Sequence, residues 1–333
     1  MSLGQLGASS RPAPGVRLAA VTALVSGLSV FVNSYGVRSF HDAASYTTAK
    51  NLVAALLLAA LATLASRRRP SARTGAWAGA TAGAGAGAGA GATGGRPPAT
   101  APWRRAVGFA YVAVVGGGLA FVLFFDGLAA TSAAPAAFLH DTLVLWVGVA
   151  CWALRRERPS AANLAAVALL VAGQTALGGG IGHLVASRGA LLVLAATLLW
   201  SAEVLVAKRL LADTPPQRLG LVRMGGGGLV LLASVAADGH LHDLVGLDPA
   251  QAGWVLLTGA LLAAYVATWL AALARGRALD VTSVLVGSAL VTTALQALAG
   301  QHVGAAQLAG LGLVAAGVAA ALAAWPPVAP ARR

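Results

Sequence analysis

The sequence predicts an all-α polytopic membrane protein of ten transmembrane helices, arranged as two inverted five-helix repeats. Three observations carry this. Of the 333 residues, 58% are hydrophobic and only 10% are charged, against about 25% charged in a soluble domain. A chain with that balance has too little polar surface to cover itself in water. Apolar runs of the ~20 residues that a crossing requires recur along the chain. Finally, the two halves resemble each other, and an odd number of spans per half turns the second copy over.

The ten expected spans are 16–36, 44–65, 106–126, 132–153, 161–178, 189–210, 219–237, 251–272, 279–299 and 305–325. Arg11 and Arg17 bracket the start of the first run. From Val16 to Val32 it is longer than the 7–15 apolar residues of a signal peptide, so it is expected to stay as a helix. Residues 1–15 form an N-terminal tail. Between Thr74 and Thr100 the sequence collapses to a Gly-Ala tract followed by Arg96-Pro97-Pro98. Gly costs backbone entropy and Ala buries little, so 74–100 is expected to be a flexible loop inside the first repeat, 16–178. The second repeat covers 189–325, and 326–333 is a C-terminal tail. Cys151 stands alone in an apolar stretch, which excludes an internal disulfide and predicts a small buried hydrophobe.

Net charge is +13, and its placement matters more than its size. With the N-terminus in the cytoplasm, 20 of the 23 Lys and Arg residues fall on the inner side, in clusters such as Arg67 to Arg69, Arg155 to Arg158 and Lys208-Arg209. Only Arg38 and Arg188 are outside, and Lys50 is within a span. That is the positive-inside pattern, and it puts both termini in the cytoplasm. A collar of basic residues around a membrane also argues against nucleic acid as a partner.

The repeat is carried by two correspondences. Residues 161–173 match 305–317 at seven of thirteen positions, a shift of 144. Lys50 and Arg223 each sit near the start of a span, at a shift of 173. The shifts differ by 29, about the length of the Gly-Ala tract, so one insertion reconciles them. Inverted repeats place a binding site near the midplane, between the halves.

Three stretches, ASYTTAKNLVAALLLAALA (44–62), FLHDTLVLWVGVACWALRRERPS (138–160) and RGALLVLAATLLWSAEVLVAKRLL (188–211), resemble EamA-type transporters of the drug/metabolite transporter superfamily. The resemblance implies secondary transport of a small metabolite or drug across the cytoplasmic membrane, often export. Two departures stand out. Arg156-Glu157-Arg158 replaces a Gly-Glu turn, and its counterpart Gly300-Gln301-His302 lacks the Glu. Glu157 therefore reads as a structural charge at a helix end, and no binding residue is inherited from the family.

Charges inside hydrocarbon are expensive and mark a pathway or a partner. Asp141 lies about ten residues into its span, hence ~15 Å deep at 1.5 Å per residue, with His140 before it. Besides a shifted span boundary, two readings of Asp141 stay open. It faces a cavity and takes a cationic group or a proton, or it pairs with Lys50 and locks two helices together. Glu203 reads as a gate or coupling residue, or as the partner of Lys208 or Arg223. Arg223 is expected to snorkel to the cytoplasmic face. Trp200 and Trp146 lie deep enough to stack on a substrate or simply to pack. Asn33, Tyr46, Thr47, Gln174, Ser201 and Gln296 supply neutral polar groups, each a cavity group or an interhelical hydrogen bonder. Trp103, Trp254 and Trp325 read as interfacial anchors, and Gly116 to Gly118 and Gly225 to Gly228 as sites of close helix contact or bending.

His240, His242 and Asp243 are too commonly spaced to mark a metal site. With no P-loop, direct ATP coupling is not expected. The chain thus reads as a non-enzyme without cofactor, its partners a small-molecule substrate, membrane lipid and protons if the proton motive force drives it; the substrate gradient is the other energy source. An integral-membrane enzyme acting on lipid and a non-transporting scaffold are the rivals.

Overall fold

A computed structural model describes residues 14–40, 42–67, 102–130, 139–154, 160–177 and 187–324. Among them every regular element is helical. In chain order these are α1 (Pro14–Gly36), extended by a 3-10 turn over Val37–Ser39, α2 (Ala43–Arg67), α3 (Pro102–Ala110), a π-helical stretch (Tyr111–Leu119), α4 (Ala120–Ala129), α5 (Leu143–Ala153) and α6 (Ala161–Leu177). The second half contains α7 (Arg188–Leu210), α8 (Pro216–Ala237), the short α9 (His242–Val245), α10 (Pro249–Arg275), α11 (Ala278–Leu285), α12 (Ser288–Leu298) and α13 (Ala305–Ala323).

Local chemistry sets several of the starts. Asp248 and Gln251 form a reciprocal capping box at α10, with Pro249 in the first turn, which satisfies N–H groups that have no partner within the helix. Ser187 caps α7 by accepting from the Ala190 N–H. Asp42 does the same for α2, accepting from Ser45 N at 2.7 Å and Ala44 N at 3.1 Å.

Eight helical stretches are long and apolar enough to cross a membrane: Pro14–Ser39, Ala43–Leu64, Pro102–Leu128, Arg188–Leu210, Pro216–Ala237, Pro249–Arg275, Ala278–Leu298 and Ala305–Ala323. They coincide with eight of the ten expected spans. At the fourth and fifth positions stand shorter apolar helices, Leu139–Ala153 and Ala161–Gly173. Residues 132–138 of the expected fourth span lie outside the described residues. Its helix is also interrupted at Thr142, whose hydroxyl donates to the Leu139 carbonyl at 2.6 Å, the competition with helical bonding typical of Thr. The Gly-Ala tract, Gly178, Glu157, Trp325 and residues 1–13 and 326–333 are likewise outside the described residues.

Large apolar side chains point outward. Leu56, Trp152, Leu229 and Leu298 are 67–85% exposed, a surface suited to lipid and not to water. Inside, α6 runs along α13, and α2 packs between α8 and α10. Helix α1 lies against α10 and α12, while α7 lies against α4 and α5. The π stretch packs on α8. There, Gly117 and Gly227 let two backbones meet. A Cβ on Gly117 would strike the Arg223 carbonyl, and one on Gly227 the Gly117 carbonyl. Close approach of this kind is how helices pack where lipid removes the hydrophobic incentive.

Candidate functional site

A cavity of about 500 Å³ lies between the two halves. Its wall brings together Tyr46 and Lys50 of α2, His140 and Asp141 before α5, Trp200 and Glu203 of α7, and Arg223 of α8. Interruptions in the helices occur at this wall. The π stretch stands behind it, where the Gly116 carbonyl accepts from the wall side chains Trp200 and Arg223, and the break between α11 and α12 contributes Leu285, Val286 and Ser288. Irregular backbone at membrane depth is tolerated where it lines a cavity.

On one side stands an ion pair. Arg223 Nε donates to Glu203 Oε1 at 2.6 Å and Nη2 to Oε2 at 3.1 Å, the two-pronged arrangement that suits guanidinium and carboxylate. Nη2 also reaches the Gly116 carbonyl at 3.4 Å, which accepts from Trp200 Nε1 at 3.0 Å as well. The guanidinium lies over the rings of Phe121 and Trp269 at 5.6 and 5.5 Å. Arg223 is 6% exposed. It does not snorkel to the cytoplasmic face as its sequence position suggested, because a carboxylate, a carbonyl and two aromatic faces already satisfy it inside. Of the two partners offered for Glu203, the structure pairs it with Arg223. Lys208 reaches across to the carbonyls of Leu273 and Gly276 at 2.7 and 2.6 Å.

The second cation is held differently. Lys50 Nζ donates to Asn33 Oδ1 at 2.8 Å, and the Tyr46 hydroxyl donates to the same oxygen at 2.8 Å. Asn33 Nδ2 is spent on the Ser29 carbonyl at 2.7 Å. Lys50 also sits 5.0 Å from the Tyr46 ring centre. The ion pair between Lys50 and Asp141 is not formed, and Asp141 makes no hydrogen bond or ion pair among the described residues. His140 packs against Trp200 and Phe124 at ring distances of 5.1 and 5.4 Å. Its Nδ1 is buried and has no hydrogen-bond partner among the described residues.

Several wall residues escaped the sequence reading. Phe121, Phe124 and Phe125 line the cavity from α4, as do Tyr265 and Trp269 from α10. Their i, i+3 and i, i+4 spacings put each set on one helix face, a signal that was available. Asp280 was also missed. It is buried off the wall and accepts from Asn163 Nδ2 at 3.1 Å. Of the neutral polar group, Asn33 and Tyr46 are on the wall, while Thr47, Ser201 and Gln296 are not. Ser201 bonds its own helix at Thr197, and the Gln174 side chain lies outside the described residues. Trp146 donates to Thr142 at 3.1 Å and does not line the cavity. Trp254 packs partly buried against Gly36, with a cluster containing Phe40 and Tyr46.

Outside the spans, Asp42 faces His240 of the second half at 3.9 Å. Burial pushes the Asp42 carboxyl up. Hydrogen bonds from the Ser45 side chain and from the Ser45 and Ala44 backbones, with His240 nearby, outweigh it and hold the carboxyl below its usual value. His242 pairs with Asp243 at 3.0 Å, and no group of three metal-ligating side chains forms among the described residues.

The model of the EamA-like transporter family matches residues 13–177 and 187–323 of the sequence. No curated protein matches it. A solved crystal structure of a protein superposes with a TM-score of 0.66 at 17% identity, covering 93% of this chain and 99% of that one. At that identity the likeness is one of fold.

Proposed function

Because this chain belongs to the EamA-like transporter family, we propose that it is a secondary transporter exporting a small metabolite or drug across the cytoplasmic membrane by alternating access. The observation that carries this is the cavity. Helices of both halves converge on a space of about 500 Å³ holding three polar centres (Lys50 with Asn33, the Glu203–Arg223 pair, and Asp141) inside a protein with a lipid-facing exterior. Pockets of ~300–1,000 Å³ suit small molecules, and ionisable groups at this depth mark pathways. The cargo leaves unchanged; no catalytic step is part of the proposal.

Ten spans in two inverted repeats complete the proposal, and the packing supports it. A Cβ on Gly173 of α6 would meet the Gly310 carbonyl and Val314 of α13 at 2.7–2.8 Å; one on Gly317 of α13 would meet Leu170 and the Ala166 carbonyl of α6 at 2.8–3.0 Å. Residues 166, 170 and 173 become 310, 314 and 317 under the shift of 144 found in the sequence. Gly117 against the Arg223 carbonyl repeats as Gly259 against the Lys50 carbonyl. The first helix of each half also packs on the third and fourth spans of the other. With both termini cytoplasmic, the wall runs from Arg223 and Glu203 to Val37 and Leu128 near the outer helix ends, the reach of an outward-facing state.

In this cycle Asp141 takes a proton or a cationic group, and proton motive force or the substrate gradient drives transport. Metabolite profiling of cells and medium, with the gene deleted and overexpressed, tests the export reading. A compound that accumulates inside on deletion and outside on overexpression is the expected result. A covalently altered lipid in its place would point to an enzyme. Asp141→Asn should abolish the export with the protein folded at normal abundance.

A further inference from the structure

We infer that the transported molecule carries a carboxylate or similarly compact oxyanion, and that Lys50, held by Asn33 and Tyr46, is where that group seats. The inference rests on the transport reading above and concerns the same cavity.

It follows from a difference between two equivalent places. Arg223 and Lys50 are the cations on the described wall, related by the repeat, and each is held by a side chain of the preceding span. Arg223 is held by Glu203, a full counter-charge delivered through two bonds. Lys50 is held by Asn33, a neutral amide. Asn33 and Glu203 stand 170 residues apart and the two cations 173 apart, so the amide occupies the carboxylate's place. The substitution leaves Lys50 without a directly bonded counter-charge.

The local bonding leaves that charge available. Asn33 Nδ2 is occupied by Ser29, and Oδ1 already accepts from both Tyr46 and Lys50. An ammonium has three donors. One goes to Asn33, and no other hydrogen bond is made by Lys50 among the described residues. Asp141, on the same wall, forms no ion pair with it. An ammonium away from bulk water without a counter-charge is costly, so an occupant that supplies one is favoured. Elsewhere on the same wall, Phe121, Phe124 and Trp200 offer apolar and aromatic surface for the rest of the molecule.

Three probes of one body and different charge test this on the purified full-length protein: 3-phenylpropionate, the neutral 3-phenylpropanamide and the cationic 3-phenylpropylamine. Tryptophan fluorescence titration reads binding, since Trp200 lies on the wall. The acid should bind at least about tenfold more tightly than the amide, because a desolvated charge pair is worth that much or more. Lys50→Gln should remove the preference, and so should Asn33→Asp, which supplies the missing counter-charge from within. Lys50→Arg should keep it. The wild-type comparison stands even if a variant fails to fold. The inference is overturned if the amide or amine equals the acid, if none of the three binds, or if folded Lys50→Gln keeps the preference.

Counterflow of labelled 3-phenylpropionate in proteoliposomes separates this inference from the one beneath it. Acid binding through Lys50 without counterflow would defeat the transport reading and leave the anion site standing. Counterflow of acid and amide at equal rates would defeat the anion site alone.

Discussion

At Arg223 the protein spends a carboxylate, a backbone carbonyl and two aromatic faces to keep one guanidinium inside. Removing one member of a buried pair strands the other, at a cost of about 3–5 kcal/mol, whereas replacing both with apolar side chains is often close to neutral. Glu203→Leu and Arg223→Met should therefore each lower the thermal midpoint sharply, and the double variant should recover much of the loss. Additive losses in that cycle would mean that the two side chains are not coupled. Asp42 is a second residue-scale case. As the cap of α2 it should be worth about 1 kcal/mol, so Asp42→Ala lowers stability by that order. Its carboxyl is held below the usual value. The stabilisation is thus fully present above the ordinary carboxylate pKa and is lost as pH falls through the lowered value. Thermal midpoints of wild type and Asp42→Ala, measured from neutral to acid, should converge at the acid end.

Elements are shaped here by which glycine meets which backbone. In the run Gly225 to Gly228, a Cβ on Gly225 would meet nothing within 4 Å, while one on Gly227 would run into the Gly117 carbonyl of the π stretch. Gly225→Ala should leave stability unchanged or raise it by up to about 1 kcal/mol, the helix-interior cost of Gly relative to Ala. Gly227→Ala should destabilise, and by displacing the backbone beside Arg223 it should also weaken binding in the cavity. Thermal unfolding of the two purified variants checks the contrast, and equal behaviour would refute the close-packed account. Four identical letters in a row announce close contact in the sequence. Which of them faces the neighbouring helix depends on rotation about the helix axis, and hydropathy along a helix surrounded by apolar groups carries little of that information.

For the whole molecule, the charge distribution predicts topology. A reporter active only outside the cytoplasm should work when inserted at Gly239, between α8 and α10, and fail after Arg333; the reverse would invert the orientation. The sequence by itself determined a helical chain made for a membrane. Ala161 and Ala305 begin helices at the shift that the residues had shown, because apolar run length and periodic residue identity are one-dimensional quantities. It also picked out the four charged residues of the cavity wall, Lys50, Asp141, Glu203 and Arg223, since a charge inside a span is exceptional wherever it points. What only the tertiary structure decided was partnership. Asp141 was an equally sensible mate for Lys50, yet Asn33 holds it; Arg223 was placed at the water, yet it turns inward to Glu203. Hydropathy gives a residue's depth along the membrane normal, but which helix lies beside it, and at what rotation, follows from side-chain shapes distant in the chain meeting in three dimensions.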